Sequence, residues 1–271
     1  MEKKLTVSDL IHFYLAHYCS PEPIYSDCRG TMWSEMNEIK GYYSQLLNGS
    51  GLYTMKEIVR MCVRGLYTTG HQKRVKEDAI DEAVEKLMTN KFRDHNRSQE
   101  CRLVTGNRVY NKFVDFEELY EAIRQLIGSV NGIGYVTLYD TARRLGYLLP
   151  EPIFPVAYVY LHYNKVNKTA ESILNRRLQY REPATSFVCG FGTFPSICIE
   201  DILCIFDDVL IKDVKEKEDV DGTVERFKKN NWRNINANDF WRERENKLKE
   251  CKGTLTRWTE FSIKRFSLNV K

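Results

Sequence analysis

The chain lacks the features that mark secreted and membrane proteins. Among its 271 residues there is no apolar run of the roughly 20 residues that a bilayer crossing takes. Short apolar stretches near the N-terminus are broken by His12, His17 and Ser20. We therefore expect neither a signal peptide nor a membrane span, and a cytoplasmic protein with no membrane partner.

Patterns that hold metals and cofactors are also missing. The eight cysteines include no CxxC pair, and the five histidines do not fall at zinc-finger spacing. Most of the cysteines are expected to be reduced thiols in the core. The pair Gly190 and Gly192 does not make a dinucleotide-binding fingerprint, because Pro195 takes the place of its third glycine. The sequence thus predicts no metal site and no cofactor.

Charge is distributed unevenly along the chain. Residues 223–271 carry 13 Lys/Arg against 6 Asp/Glu, whereas residues 1–222 carry 28 against 31. A charged stretch over 212–222 separates the two regions. We expect a body over 1–211, a linker over 212–222 and a basic, aromatic C-terminal segment over 223–271. Such a segment suits an acidic partner such as nucleic acid, and it equally suits a solvated charged helix.

Apolar residues recur at helical spacing through much of the body, which predicts an all-α, or mainly α, multi-helix fold. The expected helices lie around residues 10–18, 33–47, 54–62, 77–88, 116–127 and 197–210. Thr54 with Glu57, and Asp115 with Glu118, have the spacing of a capping box. The polar, aperiodic stretch 89–114 predicts a connection with a short strand at 102–104.

Two glycines lie between a pair of expected helices, in the segment Val130-Asn-Gly-Ile-Gly-Tyr-Val-Thr137. This segment resembles the helix-hairpin-helix motif. The resemblance implies that bare backbone amides of the turn and the positive end of the next helix approach a nucleic-acid phosphate. It also implies that Ile133 fills the angle between the helices and that the second helix ends at Gly146.

The residues expected at nucleic acid come from this hairpin, its second helix and the basic stretch 160–181. They are Asn131, Gly132, Ile133, Gly134, Tyr135, Thr137, Arg143, Lys165 and Lys168. Arg144 is an equivalent choice to Arg143, since both follow the first turn of the second helix. A tight turn that merely joins two helices remains the alternative interpretation.

The resemblance extends, over about residues 116–164, to the helix-hairpin-helix DNA glycosylases. In those enzymes an apolar run after the hairpin ends in the catalytic aspartate, whereas here the run 152–156 is followed by Ala157. The lysine of the bifunctional enzymes is replaced by Tyr135 or Val136, and neither can form a Schiff base. The resemblance therefore implies DNA binding without that catalytic route.

Other strings in the sequence resemble a group of uncharacterised bacterial proteins, a likeness that implies no activity. It draws attention to Asp140, His162, Glu200 and Asp201. If the protein is an enzyme, Asp140 and His162 are the candidate acid–base pair.

The leading hypothesis is nucleic-acid binding without sequence preference, to DNA rather than RNA, through the hairpin. The alternatives are a nucleic-acid-processing enzyme related to the glycosylases with non-standard catalytic residues, and a protein-interaction module.

Overall fold

The computed structural model describes residues 32–66, 74–162, 164–174, 176–187 and 196–205. Their contacts divide them after Pro155 into two compact units. We call the described residues up to Pro155 the N-terminal unit and those from Val156 the C-terminal unit. The helix expected near 10–18, the Gly190 segment, the linker and the segment 223–271 lie outside the described residues.

The N-terminal unit contains most of the described helices. In chain order its elements are α1 Met32–Leu47, α2 Met55–Arg64, α3 Glu77–Thr89, β1 Lys91–Asp94, β2 Gln99–Arg102, β3 Val104–Thr105, β4 Arg108–Val109, α4 Phe116–Ile127 and α5 Tyr135–Leu148. Helix α2 packs against α1, α3 and α5, and α4 packs against α3, α5 and β1. Strand β1 thus covers one side of a helical core.

The C-terminal unit is smaller and mixes short strands with helices. Its elements are β5 Tyr158–Tyr160, α6 Asn164–Leu174, β6 Arg181–Pro183, a 3-10 helix Ala184–Phe187 and α7 Ser196–Ile205. Helices α6 and α7 pack on each other, and α7 also packs on β5. The described part of the helix expected at 197–210 is α7.

The fold is mainly helical, as predicted, but the all-α expectation is wrong in detail. The described residues include three antiparallel pairs of short strands, namely β1 with β2, β3 with β4, and β5 with β6. The first two pairs occupy the stretch that the sequence predicts to be a connection. Strands of two to four residues are too short for alternation to be recognised, and Gly106 turns the chain between β3 and β4 with φ of +57°.

The two helix starts that were predicted from capping-box spacing are confirmed. The Thr54 side chain accepts from the Glu57 amide, and the Glu57 carboxylate accepts from the Thr54 amide at 2.7 Å. This makes a complete capping box. At α4 the Asp115 carboxylate accepts from the Glu118 amide at 2.9 Å, but the Glu118 carboxylate accepts from Val114, one residue before the cap.

A buried ion pair joins three helices of the N-terminal unit. The Arg144 side chain of α5 is 2% exposed, and its Nε lies 2.8 Å from the Glu35 carboxylate of α1. Its Nη1 donates to the Cys62 carbonyl of α2 at 3.0 Å, and its Nη2 lies 3.8 Å from Asp140. The other Glu35 oxygen accepts from the Leu66 amide at 2.7 Å. One guanidinium therefore fixes α1, the end of α2 and α5 relative to one another.

The Cys62 thiol lies beside this ion pair and is fully buried. Burial raises the pKa of the Cys62 thiol to about 12, although the positive charge of Arg144 acts in the opposite direction. The thiol is therefore protonated at neutral pH, in line with the expectation of a reduced core thiol.

Within the described ranges, no helix has both the length and the apolar character that a membrane crossing requires.

Replacing Arg144 by methionine tests the weight of the buried pair. The change leaves the Glu35 carboxylate buried without its main counter-charge, so we expect a loss of about 3–5 kcal/mol in the free energy of unfolding. The matched control is Lys56→Met, which breaks the exposed pair with Glu85 and should cost less than about 1 kcal/mol. Urea unfolding followed by circular dichroism measures both. Equal stabilities of the two variants would show that the pair does not hold the helices.

Candidate nucleic-acid interface

The turn between α4 and α5 spans residues 128–134. The Val130 amide donates to Ile127 and the Ile133 amide to Val130, both at 3.1 Å, so the chain reverses through two successive tight turns. Gly132 has φ of +94°, a region that favours glycine, and a β-carbon there would lie 3.5 Å from that of Ala79. The sequence places its glycine where the backbone needs one.

Four of the predicted contact residues lie on the surface of this turn and at the first residue of α5. Asn131, Gly132, Gly134 and Tyr135 are exposed, and the Tyr135 side chain is among the large apolar groups most open to solvent. Ile133 is buried, as the resemblance to the hairpin motif implies. The exposed residues of this segment therefore lie on both sides of one buried apolar side chain, that of Ile133.

The start of α5 carries no negative charge of its own. Gly134 is the N-cap residue and contributes no side-chain hydrogen bond, and the first turn of α5 contains no acidic residue. Helix α4 is the opposite case, since Asp115 caps it and Glu117 and Glu118 follow. The positive end of α5 is therefore left for an anion from outside its first turn.

Thr137 differs from the other predicted contact residues of the turn because its side chain points inward. It is 5% exposed, and its carbonyl accepts from the buried Thr141 hydroxyl at 2.7 Å. Only its backbone belongs to the first turn of α5. The Thr137 side chain is therefore not part of the candidate interface.

The expectation that Arg143 or Arg144 reaches a phosphate does not fit the structure. Arg143 is 7% exposed, with its Nη2 2.9 Å from Asp140 and its guanidinium over the Tyr139 ring, and Arg144 is held in the core. The reason is that α5 packs against α1, α2 and α4, so the helix is enclosed on several sides rather than along one stripe. Either arginine would have to break a buried ion pair to reach a ligand.

Helix α5 also ends later than predicted, at Leu148 rather than Gly146. A β-carbon on Gly146 would lie 2.5 Å from the Ile153 carbonyl and 3.0 Å from a methyl of Leu119. The glycine therefore allows a close approach between α5, α4 and the following segment, and does not stop the helix.

The two candidate acid–base residues belong to different units. The Asp140 carboxylate is buried between the guanidinium groups of Arg143 and Arg144. His162 belongs to the C-terminal unit, where its ring stacks on that of Tyr180 with the centroids 5.7 Å apart. The structure therefore assembles no Asp140–His162 pair within either unit.

The basic residues predicted from 160–181 also belong to the C-terminal unit. Lys168 is exposed on α6, whereas the side chains of Lys165 and Asp201 lie outside the described residues. The Arg176 guanidinium forms an ion pair with the Glu182 carboxylate at 2.7 Å. Ala157, which stands at the position of the glycosylase aspartate, is also in this unit and is exposed. Glu200 lies in the first half of α7.

One basic surface was missed by the sequence analysis. Lys91, Arg93 and Arg102 are exposed on the pair of strands β1 and β2, within the stretch predicted to be a connection. The only local trace of β1 in the sequence is the alternation Lys91-Phe-Arg-Asp94, whose members are exposed and buried in turn in the structure. Four residues were too few to identify it.

No group of three or more His, Cys, Asp or Glu side chains in the described part of the chain is arranged to hold a metal ion. Neither a protein-family model, nor a curated protein, nor a solved structure matches the chain.

Two alanine substitutions test the geometry of the turn. Gly132→Ala forces an L-residue into the left-handed region and should lower the free energy of unfolding by about 1–2 kcal/mol. Gly134→Ala should change it by less than about 1 kcal/mol, because Gly134 has φ of −95° and open space around it. Thermal unfolding of both variants checks the difference. If Gly132→Ala is as stable as Gly134→Ala, the described turn is wrong.

Proposed function

We propose that the chain binds the sugar–phosphate backbone of nucleic acid, DNA above RNA, without sequence preference. In this proposal α4, the turn 128–134 and α5 form a helix-hairpin-helix, and the ligand is a backbone phosphate. The observation that carries the proposal is the exposure of Gly132, Gly134 and Tyr135 at the start of a helix that has neither a capping side chain nor a first-turn carboxylate.

The physical chemistry of the turn suits a phosphate. Gly132 and Gly134 have no side chains to keep an oxygen away from the main chain, and amides at a helix start are directed outward along its axis. A phosphate there gains charge-assisted hydrogen bonds and the favourable potential of the helix end. Contacts of this type carry no base information, so they support binding without sequence preference.

Rigidity of the turn adds to the proposal. Val130 and Ile133 are buried on either side of Asn131 and Gly132, and α5 is anchored by Arg144 at its other end. A preformed loop loses little conformational freedom on binding, so more of the interaction energy appears as affinity.

The enzyme alternative has less support. Asp140 is engaged by two arginines, Ala157 stands where glycosylases have their aspartate, and residues 128–134 of the turn carry no acidic or basic side chain. We therefore propose binding and no catalytic step. A protein-interaction role for the same exposed turn is the other outcome of the experiment below, since that role does not require nucleic acid.

The test is titration of labelled duplex DNA with the full chain and with Gly134→Val. We expect the parent to bind more tightly than about 100 µM at low salt, the weak end of non-specific affinity, and more weakly as salt rises. The valine side chain should keep phosphate from the amides and cost about 1.5–3 kcal/mol, which is roughly ten- to a hundredfold in affinity.

The matched control is Gly41→Val, the same change at an exposed position of α1 that also has open space around it. This variant should bind DNA as the parent does. Circular dichroism and thermal unfolding establish that both variants are folded. A parent that does not bind, or a folded Gly134→Val that binds like Gly41→Val, contradicts the proposed interface.

A further inference from the structure

Strands β1 and β2 form a two-stranded ribbon with one face turned to solvent. Lys91 pairs opposite Arg102, and Arg93 opposite Glu100, and all four side chains are exposed. Phe92, between the two cations of β1, is 3% exposed and faces the core. Because alternate residues of a strand lie on opposite faces, the outer face of the ribbon consists of three cations and one carboxylate.

The excess of positive charge continues through β3 and β4. Residues 91–112 contain six Lys/Arg, all exposed, and two carboxylates, Asp94 and Glu100. Asp94 is buried and holds the Arg97 guanidinium at 3.0 Å and the Tyr110 hydroxyl at 2.8 Å. Within the described ranges, the ion pairs of this stretch are Lys91–Glu100 and Arg97–Asp94, so neither Arg93 nor Arg102 forms an ion pair there.

The neighbouring surface of the same unit is charge-balanced. Between α2 and α3, Lys56 pairs with Glu85 at 3.5 Å, and Arg60 pairs with Glu77 at 2.5 Å and with Asp81. These cations are matched by acids of the facing helix. The ribbon therefore differs from the α2–α3 surface, because it carries an excess of positive charge.

The ribbon places two cations directly opposite each other. Like charges directly opposite each other in an antiparallel pair are destabilising, and Lys91 lies opposite Arg102. The phosphates of a polyanion laid across the ribbon would offset that repulsion by their attraction to both cations, and binding would release counterions from the polyanion.

The ribbon is attached to the end of α4 that leads into the turn. The Gln125 side chain accepts from the Arg93 amide at 2.9 Å and donates to the Arg93 carbonyl at 3.4 Å. Gln125 precedes the last residue of α4, Ile127, by about 3 Å along the helix axis. The edge of the ribbon and the turn 128–134 therefore adjoin the same end of one helix.

We propose that the β1–β2 ribbon is a second contact surface for the phosphates of duplex DNA, with Arg93 and Arg102 as its principal cations. This inference rests on the proposed function and adds to it a defined surface outside the hairpin. The ribbon supplies charge, whereas the turn supplies backbone amides. A duplex held at both places has more phosphate contacts than the turn alone provides.

The experiment measures duplex affinity as a function of salt for three forms of the full chain: the parent, Arg93→Thr/Arg102→Thr and Lys56→Gln/Lys86→Gln. Both double variants lose two positive charges. Threonine suits a strand and glutamine a helix, so both should fold. The control removes cations that are paired with Glu85 and Glu82.

For the ribbon variant we expect the affinity at low salt to fall by about tenfold or more. The slope of log affinity against log salt should be less steep by about two. The control should keep the slope of the parent. Thermal unfolding should show the ribbon variant to be at least as stable as the parent, since a repulsion has been removed.

The outcomes separate the two proposals. If the parent binds and Gly134→Val weakens binding, but the ribbon variant keeps the slope of the control, the ribbon proposal is wrong and the proposed function stands. If the parent does not bind duplex DNA at all, both are wrong. A loss of slope confined to the ribbon variant supports the ribbon as a phosphate contact.

Discussion

The buried guanidinium of Arg144 is the constraint on which the N-terminal unit depends. A charge in the core is tolerated only where paired and hydrogen-bonded, and Glu35 and the Cys62 carbonyl meet that requirement from two other helices. Apolar packing alone would allow α5 to slide or rotate on its neighbours by small amounts. The directional contacts of Arg144 favour the observed arrangement of α1, α2 and α5.

That arrangement determines what reaches the surface at the other end of α5. With Arg143 and Arg144 turned inward, the helix offers no basic side chain of its own, and the exposed residues at its start are Tyr135 and the glycines of the preceding turn. Positive charge is supplied instead by β1 and β2, which Gln125 ties to the end of α4. The proposed interface therefore combines bare amides from one element with cations from another.

The sequence was a good guide at several places where a local rule decides the structure, although the stop predicted at Gly146 was wrong. The cap at Thr54, the end of α4 at Gly128 and the burial of Ile133 follow from residues that are neighbours in the chain. It was a poor guide where partners are distant. The pair of Glu35 with Arg144 spans more than a hundred residues, so an arginine on an amphipathic helix was expected at the surface. Strands of two to four residues likewise depend on pairing that no short pattern reveals.

Amide chemical shifts of the isotopically labelled full chain, recorded while unlabelled duplex DNA is added at low salt, test the central claim most directly. The account predicts that the largest changes occur at Gly132, Gly134 and Val136, that residues 91–102 shift with them, and that residues of the α2–α3 surface such as Lys56 do not. Changes confined to other parts of the chain, or spread evenly over the N-terminal unit, would contradict it.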